Sequence, residues 1–197
     1  IAREALAHKG YELAPVYVPP RRIAHDLVNG FVDAASKDQN VPITEDGFYY
    51  AEPAFVYHAA FFTLGERALN LDAPEDLSAV QILGFQNASA AWPDWLAASE
   101  GNGSYKEVVD QALQIRMLQR GRTDVVVADR TIFRHYLKLY ENETGAAAKA
   151  VKLHEFAEPS GYAPIFRSEK VRDAFNEGLQ HLKQTGRYDE IIAAYVE

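Results

Sequence analysis

Two acidic residues and one turn carry the clearest chemistry in the sequence. Asp129 closes the apolar run Val125-Val126-Val127-Ala128, at the carboxyl end of what reads as a buried strand, where open α/β sheets expose their ligand-contacting residues. Its carboxylate there either meets a cationic group or caps a helix beginning at Thr131. Arg130 beside it neutralises the acid or is solvated. Gln86, Asn87 and Ser89 follow a second apolar run, residues 80–85, and open a helix. Free backbone N–H groups and a hydroxyl at such a position make an anion site or, with equal weight, a plain N-cap. Glu52 lies in an aromatic stretch, residues 48–62, with Tyr49, Tyr50, Phe55, Tyr57, His58, Phe61 and Phe62. A carboxylate among rings needs a partner, either a cationic ligand or solvent. Taken singly the rings read as core, and together they read as a wall able to stack on a ligand.

Other chemistries find no support. The histidines, at His8, His25, His58, His135, His154 and His181, include no pair at the helical spacing of a zinc site, and there is no cysteine to complete one. No glycine-rich phosphate loop is present, and Ser89, Ser104 and Ser160 lack the setting of a nucleophile elbow. The sequence therefore predicts neither a metal, nor a cofactor, nor catalysis.

Composition bounds what remains. The chain of 197 residues is 48% hydrophobic and 24% charged, enough apolar content for a buried core in one domain or two small lobes. A net charge of −8 argues against a nucleic-acid partner, whose phosphates call for clustered Lys and Arg. Without cysteine the redox compartment cannot be read from disulfide usage. No apolar run approaches the roughly 20 residues that span a bilayer, and no charged-then-apolar leader precedes the helix that opens at Ile1.

The elements that position these residues alternate. Residues 1–8 read as a helix stopped at Gly10, residues 11–18 as a strand, and Pro19-Pro20 as the start of a helix ending at Asn29-Gly30. A short apolar strand follows at 31–35, then a polar loop at 36–47 and a buried strand pair in the aromatic stretch. Pro74 opens a helical turn, and residues 80–85 form a strand. The next helix starts at residues 87–89 and runs through Trp92 and Trp95, with Pro93 in its first turn. Residues 110–120 form a helix, 123–128 a strand of the kind buried on both faces of a parallel sheet, 131–140 a helix and 151–156 a strand. Extended residues 161–166 lead into two amphipathic helices, 169–184 and 188–196.

Within this layout a pattern of helix, Gly, Arg or Phe, one further residue, Asp and apolar strand occurs twice, at Leu27-Val28-Asn29-Gly30-Phe31-Val32-Asp33-Ala34 and at Met117-Leu118-Gln119-Arg120-Gly121-Arg122-Thr123-Asp124-Val125-Val126. With the Glu-Asp-Leu, strand, Gln-x-x-Ser stretch from Glu75 to Ser89, and the tail Phe175-Asn176-x-Gly-Leu-x-x-Leu-Lys-x-Thr-Gly-x-Tyr188, it resembles the periplasmic substrate-binding proteins of the polar-amino-acid type that serve ABC importers. The resemblance spans nearly the whole chain in the family's order. It implies an α/β, two-lobed type II periplasmic-binding-protein fold with parallel-rich sheets flanked by helices. Residues 1–55 and 163–197 would form lobe one and 56–162 lobe two, joined by crossings near Ala54-Phe55-Val56 and Ala163-Pro164-Ile165. The family's first strand of lobe one, with an aromatic-bearing loop, is missing, so part of the site is expected outside this sequence.

The function implied is a periplasmic monomer that captures a small polar, amino-acid-like solute in the interlobe cleft by hinge closure and delivers it to ABC permease membrane subunits. The alternative is an extracytoplasmic ligand-sensing domain of a membrane signalling protein. By resemblance Gln86, Asn87 and Ser89 would hold a ligand carboxylate and Asp129 would pair with a ligand ammonium, with Arg130, Tyr50, Glu52, Phe55 and Tyr57 nearby. The chain departs from the family twice. Ala88 stands where a Gly is usual, and residues 36–50 hold no Arg to grip an α-carboxylate, Lys37 being the only cation there. That departure argues against an ordinary α-amino acid as the ligand.

Overall fold

A computed structural model describes residues 1–18, 20–36 and 47–196, and the chain forms two compact units, one from Ile1–Val56 with Ser160–Tyr195 and one containing Tyr57–Pro159. In the first unit α1 (Ala2–Ala7) and α2 (Pro20–Val28) precede the short strands β1 (Ala34–Ala35) and β2 (Tyr49–Tyr50), and β3 (Phe55–Tyr57) carries the chain into the second unit at Tyr57. The chain then builds β4 (Ala59–Leu64), β5 (Ile82–Phe85), α3 (Ala88–Ala91), α4 (Pro93–Gly101), β6 (Tyr105–Val108), α5 (Gln111–Gln119), β7 (Val125–Asp129), α6 (Arg130–Thr144) and β8 (Val151–Glu155), all in the second unit. It returns through β9 (Ser160–Tyr162), which pairs with β3, and β10 (Ile165–Phe166), and ends in α7 (Glu169–Gln184) and α8 (Arg187–Val196).

The second unit is a five-stranded sheet in the order β6-β5-β7-β4-β8. Strands β6, β5 and β7 are parallel, whereas β4 runs antiparallel to both β7 and β8. The apolar run ending at Asp129 is thus buried on both faces, between one parallel and one antiparallel neighbour. Alternation along the strands feeds two cores. Ala60, Phe62, Val126 and Ala128 meet Ile115, Leu118 and Phe133 of α5 and α6 on one face, and Phe61, Val125 and Val127 meet Leu77, Ala88 and Leu96 on the other.

In the first unit β10 lies between β1 and β2, antiparallel to each. Its core joins Ala5 and Leu6 of α1 to Phe175, Leu179 and Leu182 of α7. The two helices approach backbone to backbone at Gly178, where an added Cβ would overlap the Ala5 carbonyl. Arg187 then pairs twice with Glu4, at 2.8 Å to each carboxylate oxygen. Gly30 follows α2 with φ +75°, and the Arg167 guanidinium caps that helix by donating to the Leu27 and Val28 carbonyls at 2.6 and 3.0 Å.

Three expectations fail for stated reasons. Residues 11–18 form no regular element and pair with no strand among the described residues: Pro15 has no N–H to give, and Val16 and Tyr17 are exposed. The strand expected at 31–35 contracts to Ala34–Ala35, because Phe31 and Val32 instead donate to the Asp26 carbonyl in the turn that ends α2. The helix expected through Trp92 breaks there, since Pro93 opens α4 as its first residue and Trp92 leaves helical geometry. The polar loop at 36–47 falls almost wholly outside the described residues.

Replacement of Gly178 by Ala tests the α1–α7 contact. A backbone oxygen cannot rotate away, so overpacking is expected to cost about 1–3 kcal/mol in a urea melt despite alanine's better helix propensity; unchanged stability would rule the contact out.

Candidate functional site

Strands β5, β6, β7 and β8 all end at the same edge of the second unit's sheet, and antiparallel β4 begins there. Pairing between β5 and β7 stops at Leu83 and Val126. Just beyond, the buried Gln114 amide of α5 donates to the carbonyls of Leu83 and Val127, each at 3.0 Å. One side chain thereby satisfies the carbonyls of both diverging strands, and the diverging ends leave room at the edge.

The turn after β5 is built around a carboxylate that the sequence reading did not single out. Asn87 is left-handed, φ 69°, and its N–H donates to Glu107 Oε2 at 2.8 Å. The Ser89 N–H and hydroxyl both donate to Glu107 Oε1 at 3.1 Å, and the Tyr105 hydroxyl donates to the same oxygen at 2.8 Å. Tyr105 reaches this position by crossing Gly84, whose missing Cβ would overlap the phenol. Burial works against the Glu107 charge, but the backbone N–H groups of Asn87 and Ser89 and the two hydroxyls outweigh it and hold the carboxyl below its ordinary range. Burial, then the adjoining carboxylate, push the Tyr105 phenol up, so it stays a donor. Gln86 is exposed beside the turn.

At the end of β7 the Asp129 carboxylate is also taken up by the chain. Oδ1 accepts from the Thr131 and Ile132 N–H groups at 2.8 and 3.0 Å, capping α6, and Oδ2 accepts from the His58 N–H at 2.8 Å. The side chain is buried. Arg130 returns the link to β4 by donating its backbone N–H to the His58 carbonyl at 3.1 Å. Its guanidinium pairs with Glu155 at the end of β8, and its Nε is buried with no hydrogen-bond partner among the described residues. His58, Arg130 and Glu155, but not Asp129, line a cavity of about 450 Å³ with Trp95, Phe156 and Glu158, a volume suited to a small solute. Phe156 stacks on Phe61 at 4.0 Å and meets Trp92 and Trp95 edge-on, both at 5.4 Å.

The structure thus gathers Asn87, Ser89, Asp129 and Arg130 on one edge. Tyr50, Glu52 and Phe55 belong to the other unit. Tyr50 is 46% exposed. Glu52 is exposed, and its N–H donates to Asn176 Oδ1 at 2.8 Å. Phe55 and Tyr57 are half-buried on β3. The cation-poor loop lies outside the described residues except for Ser36 and residues 47–50. Sequence reasoning missed Tyr105, Glu107, Glu155, Trp95 and Phe156 as site residues. For Glu107 the available signal was an acid one residue beyond a Tyr-Lys pair; its backbone partners, Asn87 and Ser89, lie 20 and 18 residues away in sequence.

With its mixed central sheet, flanking helices and two units, the chain has the fold of the type II periplasmic substrate-binding proteins. No family model matches it. An arginine-binding periplasmic protein of Mannheimia haemolytica is 23% identical over 142 residues, 72% of this chain. The chain spans 56% of the length of that curated relative. An amino acid ABC transporter substrate-binding protein of Streptococcus pneumoniae, solved with L-arginine bound, matches 100% of this chain and 83% of its own at TM-score 0.68 and 16% identity. A histidine kinase sensor domain with similarity to periplasmic binding proteins matches 98% of this chain and 82% of its own at TM-score 0.65 and 18% identity.

Replacing Asp129 with Ala removes a helix cap and leaves the His58 N–H unpaired, and a loss of about 2 kcal/mol in a denaturant melt is expected. The lowered Glu107 value has its own signature. The stability it supplies is complete above the ordinary carboxylate range, about pH 4.3, and is lost as pH falls through the lowered folded value. Melting temperature should therefore fall less steeply in acid for Glu107→Gln than for the wild type; parallel acid profiles would contradict the assignment.

Proposed function

We propose that the chain is a periplasmic solute-binding receptor that holds a small polar, amino-acid-like solute at the carboxyl edge of the second unit's sheet and delivers it to the membrane subunits of an ABC importer. The observation that carries this reading is the cavity where β8 ends and β4 begins, lined by His58, Ala59, Arg130 and Glu155, in the fold of proteins that bind amino acids. The cavity combines an aromatic floor of Trp95 and Phe156 with the charged groups of Arg130, Glu155 and Glu158, the mixture of apolar wall and few polar anchors that small-solute sites use. The arginine-binding relative and the L-arginine-bound neighbour support a cationic solute. With chain net charge −8, long-range attraction also favours a cation.

A second reading, an extracytoplasmic sensor domain, is favoured by the likeness to a histidine kinase sensor. A membrane-spanning helix directly after Glu197 in the full-length protein would select it over transport.

Thermal shift and calorimetric titration against amino acids, polyamines and small carboxylates test the receptor reading. A true ligand at 100 times its Kd should add about 2.7 kcal/mol of stability. No response across the panel would overturn it.

A further inference from the structure

We infer that Glu158 is a specificity-determining residue: together with the Trp95 ring it receives a cationic group of the solute, an ammonium or a guanidinium, and so selects a charged solute over a neutral one of the same shape. This assignment rests on the receptor reading above. The cavity of that reading lies wholly within the second unit, and its lining holds two carboxylates, Glu155 and Glu158, against one guanidinium, that of Arg130. Glu155 is already paired with Arg130. Asp129 commits both its oxygens to backbone N–H groups and does not line the cavity. Glu158 is the acid left over: among the described residues it makes no hydrogen bond or ion pair. The lining therefore carries a negative charge that the chain does not compensate, and a solute cation is what balances it.

Two further features separate Glu158 from an ordinary surface acid. Pro159 follows it and also lines the cavity; the residue before a proline is confined to extended backbone, so the segment that carries the carboxylate is restrained before any solute arrives. Trp95 lines the same cavity, and its ring is held in place by Phe61 and Phe156, each with ring centroids 5.4 Å from it. A cation is attracted both to the carboxylate and to the indole face, whereas an uncharged group of equal size gains little from either.

Two measurements on the whole chain test the assignment. In the first, methylguanidinium chloride is titrated against sodium chloride at matched ionic strength, and the indole N–H resonance of Trp95, assigned by its loss in Trp95→Phe, is followed. The wild type should show a saturable shift, and Glu158→Gln should need about tenfold more cation to reach half of it. No saturable shift, or equal midpoints, overturns the assignment. Glu158 is exposed and unpaired, so the variant should melt with the wild type.

In the second, calorimetry compares arginine with citrulline, which lacks the guanidinium charge, and with argininic acid, which lacks the ammonium. The wild type should bind one of the two about tenfold more weakly than arginine; Glu158→Gln should bind that analogue and arginine alike. Glu143→Gln, which removes an exposed acid of α6 outside the cavity, should keep the preference. Equal wild-type affinities for all three, or a preference that survives Glu158→Gln, overturn the assignment and leave the receptor reading standing. If no solute binds the wild type, the receptor reading fails by itself, and the methylguanidinium titration still decides whether Glu158 and Trp95 hold a cation.

Discussion

Strand β7 is buried on both faces, with Val125, Val126 and Val127 fully inaccessible and Ala128 nearly so, and each of those valines contributes about 1.5–3 kcal/mol to folding. Both cores of the second unit rest on it. Burial on both sides fixes its register to β4 and β5, because a slip of one residue would exchange the two cores. Register in turn fixes where the strand ends. Asp129 therefore reaches the edge beside His58 and the first turn of α6, and the cavity-lining Arg130 follows at a position set by the packing behind it.

At that edge the main problem is electrostatic. Carboxylates from β6, β7 and β8 stand at intervals along it, and each has partners within the chain. Backbone N–H groups serve Asp129, backbone and hydroxyl donors serve Glu107, and Arg130 serves Glu155. Two of these acids, Asp129 and Glu107, are held mainly by backbone N–H groups and short side chains of the scaffold, which fixes their positions. The buried, unpartnered Arg130 Nε is the exception. It is a hydrogen-bond donor on a cavity-lining residue for which no acceptor is found among the described residues.

Elements with a strong local signal were legible in the sequence. The 3.6-residue periodicity of α7, the Asn29-Gly30 stop of α2 and the continuous apolar run of β7 are each a local consequence of side-chain type. Residues 11–18 show the limit of such reasoning. Their pattern suits a strand, but a strand exists only where another offers its ladder, and none of the described residues does. Strand β6 shows the converse: Tyr-Lys-Glu-Val has little apolar character, yet it pairs along β5 as the sheet's edge.

The sequence by itself determined the α/β alternation, the class of fold, the helix start at residues 87–89 and the strand end at Asp129, because periodicity, capping chemistry and apolar runs act over a few residues. Tertiary structure alone decided what those features meet. Ser89 could face a ligand anion or cap a helix on equal terms until Glu107, 18 residues on, was brought beside it by the parallel pairing of β5 and β6. A carboxylate's partner is chosen by distance in space, and strand register, which local sequence does not encode, sets that distance.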